Sequence, residues 1–170
     1  MIKPIRSAAL LFCLLAAVGA CEDDDDNDII FRATLSGANE NPVRTTTANG
    51  TAEFRLREDN TISYTVDVTN LSNITAGHIH GPADAATNAG VIIGLLSTPP
   101  STSPFSGRLA EGTITASSTL TGVDLAGLIA LFNSGMTYVN VHTSDGVDPA
   151  NTGPGDFPGG EIRGQIQREP

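Results

Sequence analysis

The chain has no tryptophan, two tyrosines and six phenylalanines, too few aromatics for a stacking platform that reads sugars or bases. Lysine is absent after Lys3, and from residue 21 onward seven arginines stand against 19 acids. Nucleic-acid affinity needs clustered cations that displace counterions from phosphates, so a nucleic-acid partner is excluded. Cysteine is nearly absent as well. Cys13 and Cys21 are the only two, so residues 30–170 have no internal disulfide and no thiol nucleophile. The longest apolar run, 8–20, has thirteen residues, short of the ~20 that a spanning helix needs. The Gly-x-Ser-x-Gly elbow and the Walker-type phosphate loop are also missing. No motif places a histidine base beside any of the serines.

What is present at the N-terminus concerns delivery. Lys3 and Arg6 precede the apolar run, which closes with Val18-Gly19-Ala20 before Cys21. A cationic start, a short apolar stretch and small residues read as a signal peptide over 1–20. Small residues ahead of a cysteine resemble a bacterial lipobox, in which Cys21 is lipidated and becomes the first residue of the mature chain. Residues 21–29 then form an acidic, self-repelling tether holding Glu22, Asp23, Asp24, Asp25, Asp26 and Asp28. From Ile29 onward 13 acids face 7 arginines, so the charge of −10 falls to −6 without the tether and signal. The expected protein is exported and anchored to a membrane by lipid, at the cell envelope, outer membrane or cell surface. Its partner there, protein or other envelope component, is not named by the sequence.

The remainder, 30–170, reads as one all-β domain. Phe54 and Leu56 alternate with Glu53, Arg55 and Arg57, and Ile62, Tyr64, Val66 and Val68 alternate with Ser63, Thr65, Asp67 and Thr69. A period of two puts one set on a core face and the other away from it. Glu58-Asp59-Asn60 between the two runs makes them a hairpin. Further strands are expected at 30–36, 75–80, 91–96, 112–117, 137–143 and 161–167. About eight short strands separated by Gly, Pro, Asn and Ser predict an antiparallel Greek-key β-sandwich or barrel. One short helix is expected, with Asp124 as N-cap, Leu125, Leu128, Ile129 and Phe132 at helical spacing and Gly135 at C′.

Three histidines carry the candidate chemistry. His78 and His80, two apart on a strand, share a face opposite Ile79; Asn140 and His142 share the face opposite Val139 and Val141. Ile162 and Ile166 mark the core side of the last strand, leaving Glu161, Arg163 and Gln165 outward. If these strands are neighbours, the groups converge. One reading is a metal-binding domain or metalloenzyme of Cu or Zn type, with His78, His80 and His142 as ligands and Glu161 orienting a ligand or water. The other is a polar network in which the histidines, Asn140, Glu161 and Arg163 satisfy one another and the loop backbone. The loop 144–160 carries Asp145, Asp148 and Asp156 among five glycines and three prolines. Its order does not match an EF-hand, and its length makes it a candidate binding loop.

Four blocks together resemble the CHRD domain, a module named after the chordin proteins and found in many bacterial exported proteins. They are Leu35-Ser36-Gly37-Ala38-Asn39-Glu40 with Pro42, Gly77-His78-Ile79-His80-Gly81-Pro82-Ala83, Tyr138-Val139-Asn140-Val141-His142-Thr143, and Gly159-Gly160-Glu161-Ile162-Arg163-Gly164-Gln165-Ile166. The resemblance runs from about Phe31 to Gln167. The resemblance defines no activity, and the first expectation is a non-enzymatic binding or structural module; the growth-factor antagonism of chordin accompanies cysteine-rich modules that this chain lacks. Val43 stands where the family usually has a second proline, and 144–157 is largely an insertion.

Overall fold

Residues 49–71 form the hairpin that alternation predicts. The computed structural model describes residues 27–100 and 103–170. The expected signal peptide, Cys21 and most of the acidic tether lie outside the described residues. In chain order the strands are β1 (Ile29–Ser36), β2 (Asn49–Leu56), β3 (Ile62–Leu71), β4 (Ile74–His80), β5 (Val91–Gly94), β6 (Phe105–Ile114), β7 (Tyr138–Thr143), β8 (Ile162–Gln165) and β9 (Gln167–Arg168), with helix α1 (Leu125–Asn133) between β6 and β7. β2 and β3 pair antiparallel with Leu56 opposite Ile62 and Phe54 opposite Tyr64. At their turn Asp59 Oδ1 accepts hydrogen bonds from the Thr61 amide and hydroxyl, while Asn60 takes φ 62°. Asparagine tolerates that left-handed geometry and aspartate caps it locally.

All strands join one antiparallel sheet in the order β5-β4-β7-β8-β1-β2-β3-β6, with β9 also pairing β1. That order forces the sheet to curl. β3 and β4 are separated by four strands in the sheet, a flat distance of roughly 24 Å at ~4.8 Å per strand. Only Ser72 and Asn73 connect them, and three Cα steps reach ~11 Å at most. The end of β3 must therefore lie against the start of β4, folding one half of the sheet over the other. The two layers of the expected sandwich are halves of a single sheet. One apolar cluster fills the space between them, with Phe31, Phe54, Ile62, Ile79, Val139, Val141, Ile162 and Ile166 all buried.

The helix closes this core. The Asp124 carboxylate accepts from the Gly127 amide at 2.8 Å, as an N-cap should. Leu128 and Phe132 are buried, and the Phe132 ring meets Phe31 and Phe54 edge-on at 5.3 and 5.2 Å. After it, Gly135 at φ +66° lets its own amide reach Phe132 O and the Met136 amide reach Leu131 O, the paired bonds of a Schellman end.

One expected strand is misplaced. The segment expected at 112–117 is β6, which begins seven residues earlier. Ala110 pairs with Val66 and Arg108 with Asp67, so Leu109 is an extra residue between them. Leu109 and Ala110 are both buried in succession. A bulge of this kind breaks the period of two, which hid the first half of the strand.

Candidate functional site

β4, β7 and β8 lie side by side, so their outward residues form rows: His78 opposite Asn140 opposite Arg163, and His80 opposite Tyr138 opposite Gln165. His142 stands two residues beyond Asn140 on the same face. Parity puts these groups on one non-core face, and the strand order sets them side by side, but most of that face is closed off from solvent. Glu161 and Arg163 are 1% exposed, Asn140 4% and His80 7%. Their face is roofed by the segments 37–48, 81–90 and 144–160, which the alternation of strands does not describe.

The three imidazoles meet at one point. His78 Nδ1 lies 3.1 Å from His142 Nε2, and one nitrogen from each ring falls within 4.8 Å of the others. His142 Nδ1 faces the Pro158 carbonyl at 2.9 Å and His80 Nδ1 the Ala89 carbonyl at 3.0 Å. A carbonyl only accepts, so both Nδ1 atoms carry hydrogen and both Nε2 atoms present a lone pair. The Nε2 of His80 is buried and has no partner among the described residues. Burial holds all three histidines below the usual imidazole range, His80 down to about 4 with the neighbouring histidines and Arg163 adding to the effect. The cluster is neutral near pH 7, the form in which imidazole ligates metals. His80 is further fixed by stacking on Tyr138, at 4.9 Å between centroids and 4° between planes. The Arg163 guanidinium sits 3.5 Å from the centre of the same tyrosine ring.

The polar residues around the histidines serve the roof. Arg163 donates to Asn88 Oδ1 at 2.8 Å and to the Asp84 and Thr87 carbonyls at 2.8 and 3.0 Å, pinning 81–90. Glu161 accepts from Thr46 and Thr143 hydroxyls at 2.6 and 2.7 Å and from the Gly155 amide at 2.8 Å. Its carboxylate is thus committed to joining three segments, and it bonds to no histidine. Asn140 donates to Glu40 Oε2 at 3.3 Å, leaving Asn140 Oδ1 and Glu40 Oε1 buried without partners. Burial pushes the Glu40 carboxyl up to about 7, against the opposing pull of Arg163 and Arg44. Gly160 makes this approach feasible: at φ +127°, any Cβ there would collide with the Asn140 amide and Glu40 Oε1.

The aspartates of the insertion do not assemble. Asp156 is buried and accepts from the Thr152 amide and hydroxyl, which holds its carboxyl below the usual range. Asp145 accepts from the Val147 amide at 2.8 Å, and Asp148 is exposed. Among the described residues the histidines alone make a group of three or more potential metal ligands. Glu40, Tyr138 and Asn88 went unassigned in the sequence reading. Glu40 lies in a loop where no period places a side chain, and its only signal was membership of the first block.

A model of the CHRD domain matches residues 31–166. The chain belongs to the CHRD family. The match covers nearly all of the described domain, including every residue of the histidine cluster and its roof. Searches of curated proteins and of solved structures find no match.

Proposed function

We propose that this CHRD protein is exported, lipidated at Cys21 and held at the cell envelope, where its domain acts as a non-enzymatic binding module. The observation that carries the reading is the roofed β4–β7–β8 face. It holds three converging imidazoles, and the buried Nε2 of His80 has no partner among the described residues. Buried polar atoms are ordinarily paired, and an orphan of this kind fits a ligand from outside. Delivery is supported by the cationic start, the short apolar run, the small residues before Cys21 and the acidic stretch that follows. The family match begins ten residues after that cysteine, leaving a tether long enough to hold the domain clear of a membrane surface.

Replacing Cys21→Ser tests delivery. Metabolic labelling with a fatty-acid analogue should mark the parent and not the variant, and the variant should leave the membrane fraction. A variant that stays lipidated and membrane-held would refute the anchor.

A further inference from the structure

We infer that the ligand of this face is a single transition-metal ion of the copper–zinc class, held by His78, His80 and His142 with one coordination position left open. The inference rests on the reading of the face as a binding site and names what fills it.

Spacing is the first argument. Two nitrogens at ~2.0–2.1 Å from a tetrahedral ion stand about 3.3 Å apart. His78 Nδ1 and His142 Nε2 are already at 3.1 Å, and one nitrogen from each of the three rings lies within 4.8 Å of the others. Closing the set from 4.8 Å to ligand spacing needs a shift of at most about 1.5 Å. Preparation is the second. The Ala89 and Pro158 carbonyls take the Nδ1 hydrogens of His80 and His142, so the far nitrogens are presented as lone pairs. Metal-binding histidines are ordinarily oriented in this way, by an acceptor on the ring nitrogen that does not bind. Without metal, the His78 Nδ1 hydrogen bridges to His142 Nε2; with metal, it moves to His78 Nε2 and Nδ1 becomes the third donor. No net proton is gained or lost in that tautomeric shift.

Donor chemistry narrows the ion to the imidazole-binding transition metals, which include nickel and iron as well as copper and zinc. Three neutral imidazoles suit zinc and copper, whereas calcium and magnesium require oxygen ligands. Glu161 is held by Thr46, Thr143 and Gly155, and Asp156 by Thr152 and the backbone amides of Asp145 and Asn151, so among the described residues no carboxylate joins the histidines. Three protein ligands leave the fourth position open. His78 and His142 are only half-buried, so water or a small anion can reach that position.

The test uses the untagged full-length chain, stripped with a chelator and titrated separately with Cu²⁺ and Zn²⁺, with bound metal counted by elemental analysis after dialysis. One ion per chain is expected, with nitrogen hyperfine structure in the copper spectrum and a perturbation of that spectrum by azide. His142→Ala and His78→Ala should each weaken binding at least about tenfold, in keeping with loss of one ligand in three. Circular dichroism checks that both variants remain folded, and their half-buried sites favour that. Uptake well below one ion per chain would overturn the assignment. So would undiminished uptake in the double variant, which would place the ions on the acidic segment 22–28 instead. A chain that takes up no metal yet remains lipidated and membrane-held loses only this inference; a chain that binds metal but is not lipidated loses only the delivery reading.

Discussion

The two halves of the sheet bury the same kind of apolar face but treat their polar faces in opposite ways. On β1, β2, β3 and β6 the outward rows stand in solvent and carry cross-strand ion pairs, Arg32 with Glu53 at 2.8 Å and Arg108 with Asp67 at 2.8 Å. Their side chains are roughly a third to a half exposed, and such pairs contribute little because water competes for both partners. On β4, β7 and β8 the outward rows lie beneath three segments of loop. There a charged group keeps no access to water, so each hydrogen bond it loses costs the full desolvation of the atoms left behind. Identical alternation therefore gives a replaceable surface on one half and a sensitive polar core on the other.

The sharpest way to break that contrast is to remove one arginine from each half. Arg163→Met should lower stability by about 3 kcal/mol, because the buried guanidinium's bonds to Asn88, Asp84 and Thr87, which pin segment 81–90 to β8, are all lost. Urea unfolding reads it directly. A loss no larger than that of an exposed arginine would dissolve the distinction between the halves.

A second effect depends on pH. Glu40 is pushed from 4.5 to about 7, so the folded state keeps its proton where the unfolded state gives it up. Its stabilising contribution is fully present below 4.5 and is lost as pH rises through 7. His80, depressed from 6.5 to about 4, works with the opposite sign, costing stability as pH falls through that window. The difference between parent and Glu40→Gln isolates the carboxyl. The variant should gain roughly 3 kcal/mol relative to the parent between pH 4.5 and pH 8, from the size of the shift. Unfolding curves whose separation does not change with pH would show that Glu40 titrates normally.

The smallest effect belongs to the open half. Arg108→Ala removes bonds to Asp67 and Glu111 at 2.8 and 2.9 Å, both at the surface. Its unfolding midpoint should move only slightly, and the shift should fade at 1 M salt, where the screening length is about 3 Å. A large, salt-independent loss would mean that this half also depends on its polar face.

How far each half could be read in advance follows from these faces. Where one face meets water, as in Glu53-Phe54-Arg55-Leu56, alternation marks the strand and its core side at once. The Leu109 bulge erased that mark over half of β6. His78, His80, Asn140 and His142 were placed on one face by the same parity, yet the burial of Asn140, Glu161 and Arg163 was invisible to it. Burial there is produced by the loops 37–48, 81–90 and 144–160, and loop paths depend on distant partners such as Thr46 for Glu161 or Asn88 for Arg163.

The sequence by itself determined the all-β class, the helix between its Asp124 cap and Gly135 exit, the side of each regular strand that enters the core, and the family. These are local: they follow from side-chain period, from capping groups within a few residues, and from blocks in order. Only the tertiary structure decided that β4 lies beside β7 and β7 beside β8, so that His142 meets His78, 64 residues away in the chain, and His80 beside it. It alone decided that their face is closed over, because a roof is made of contacts between residues far apart in sequence, and no local pattern records them.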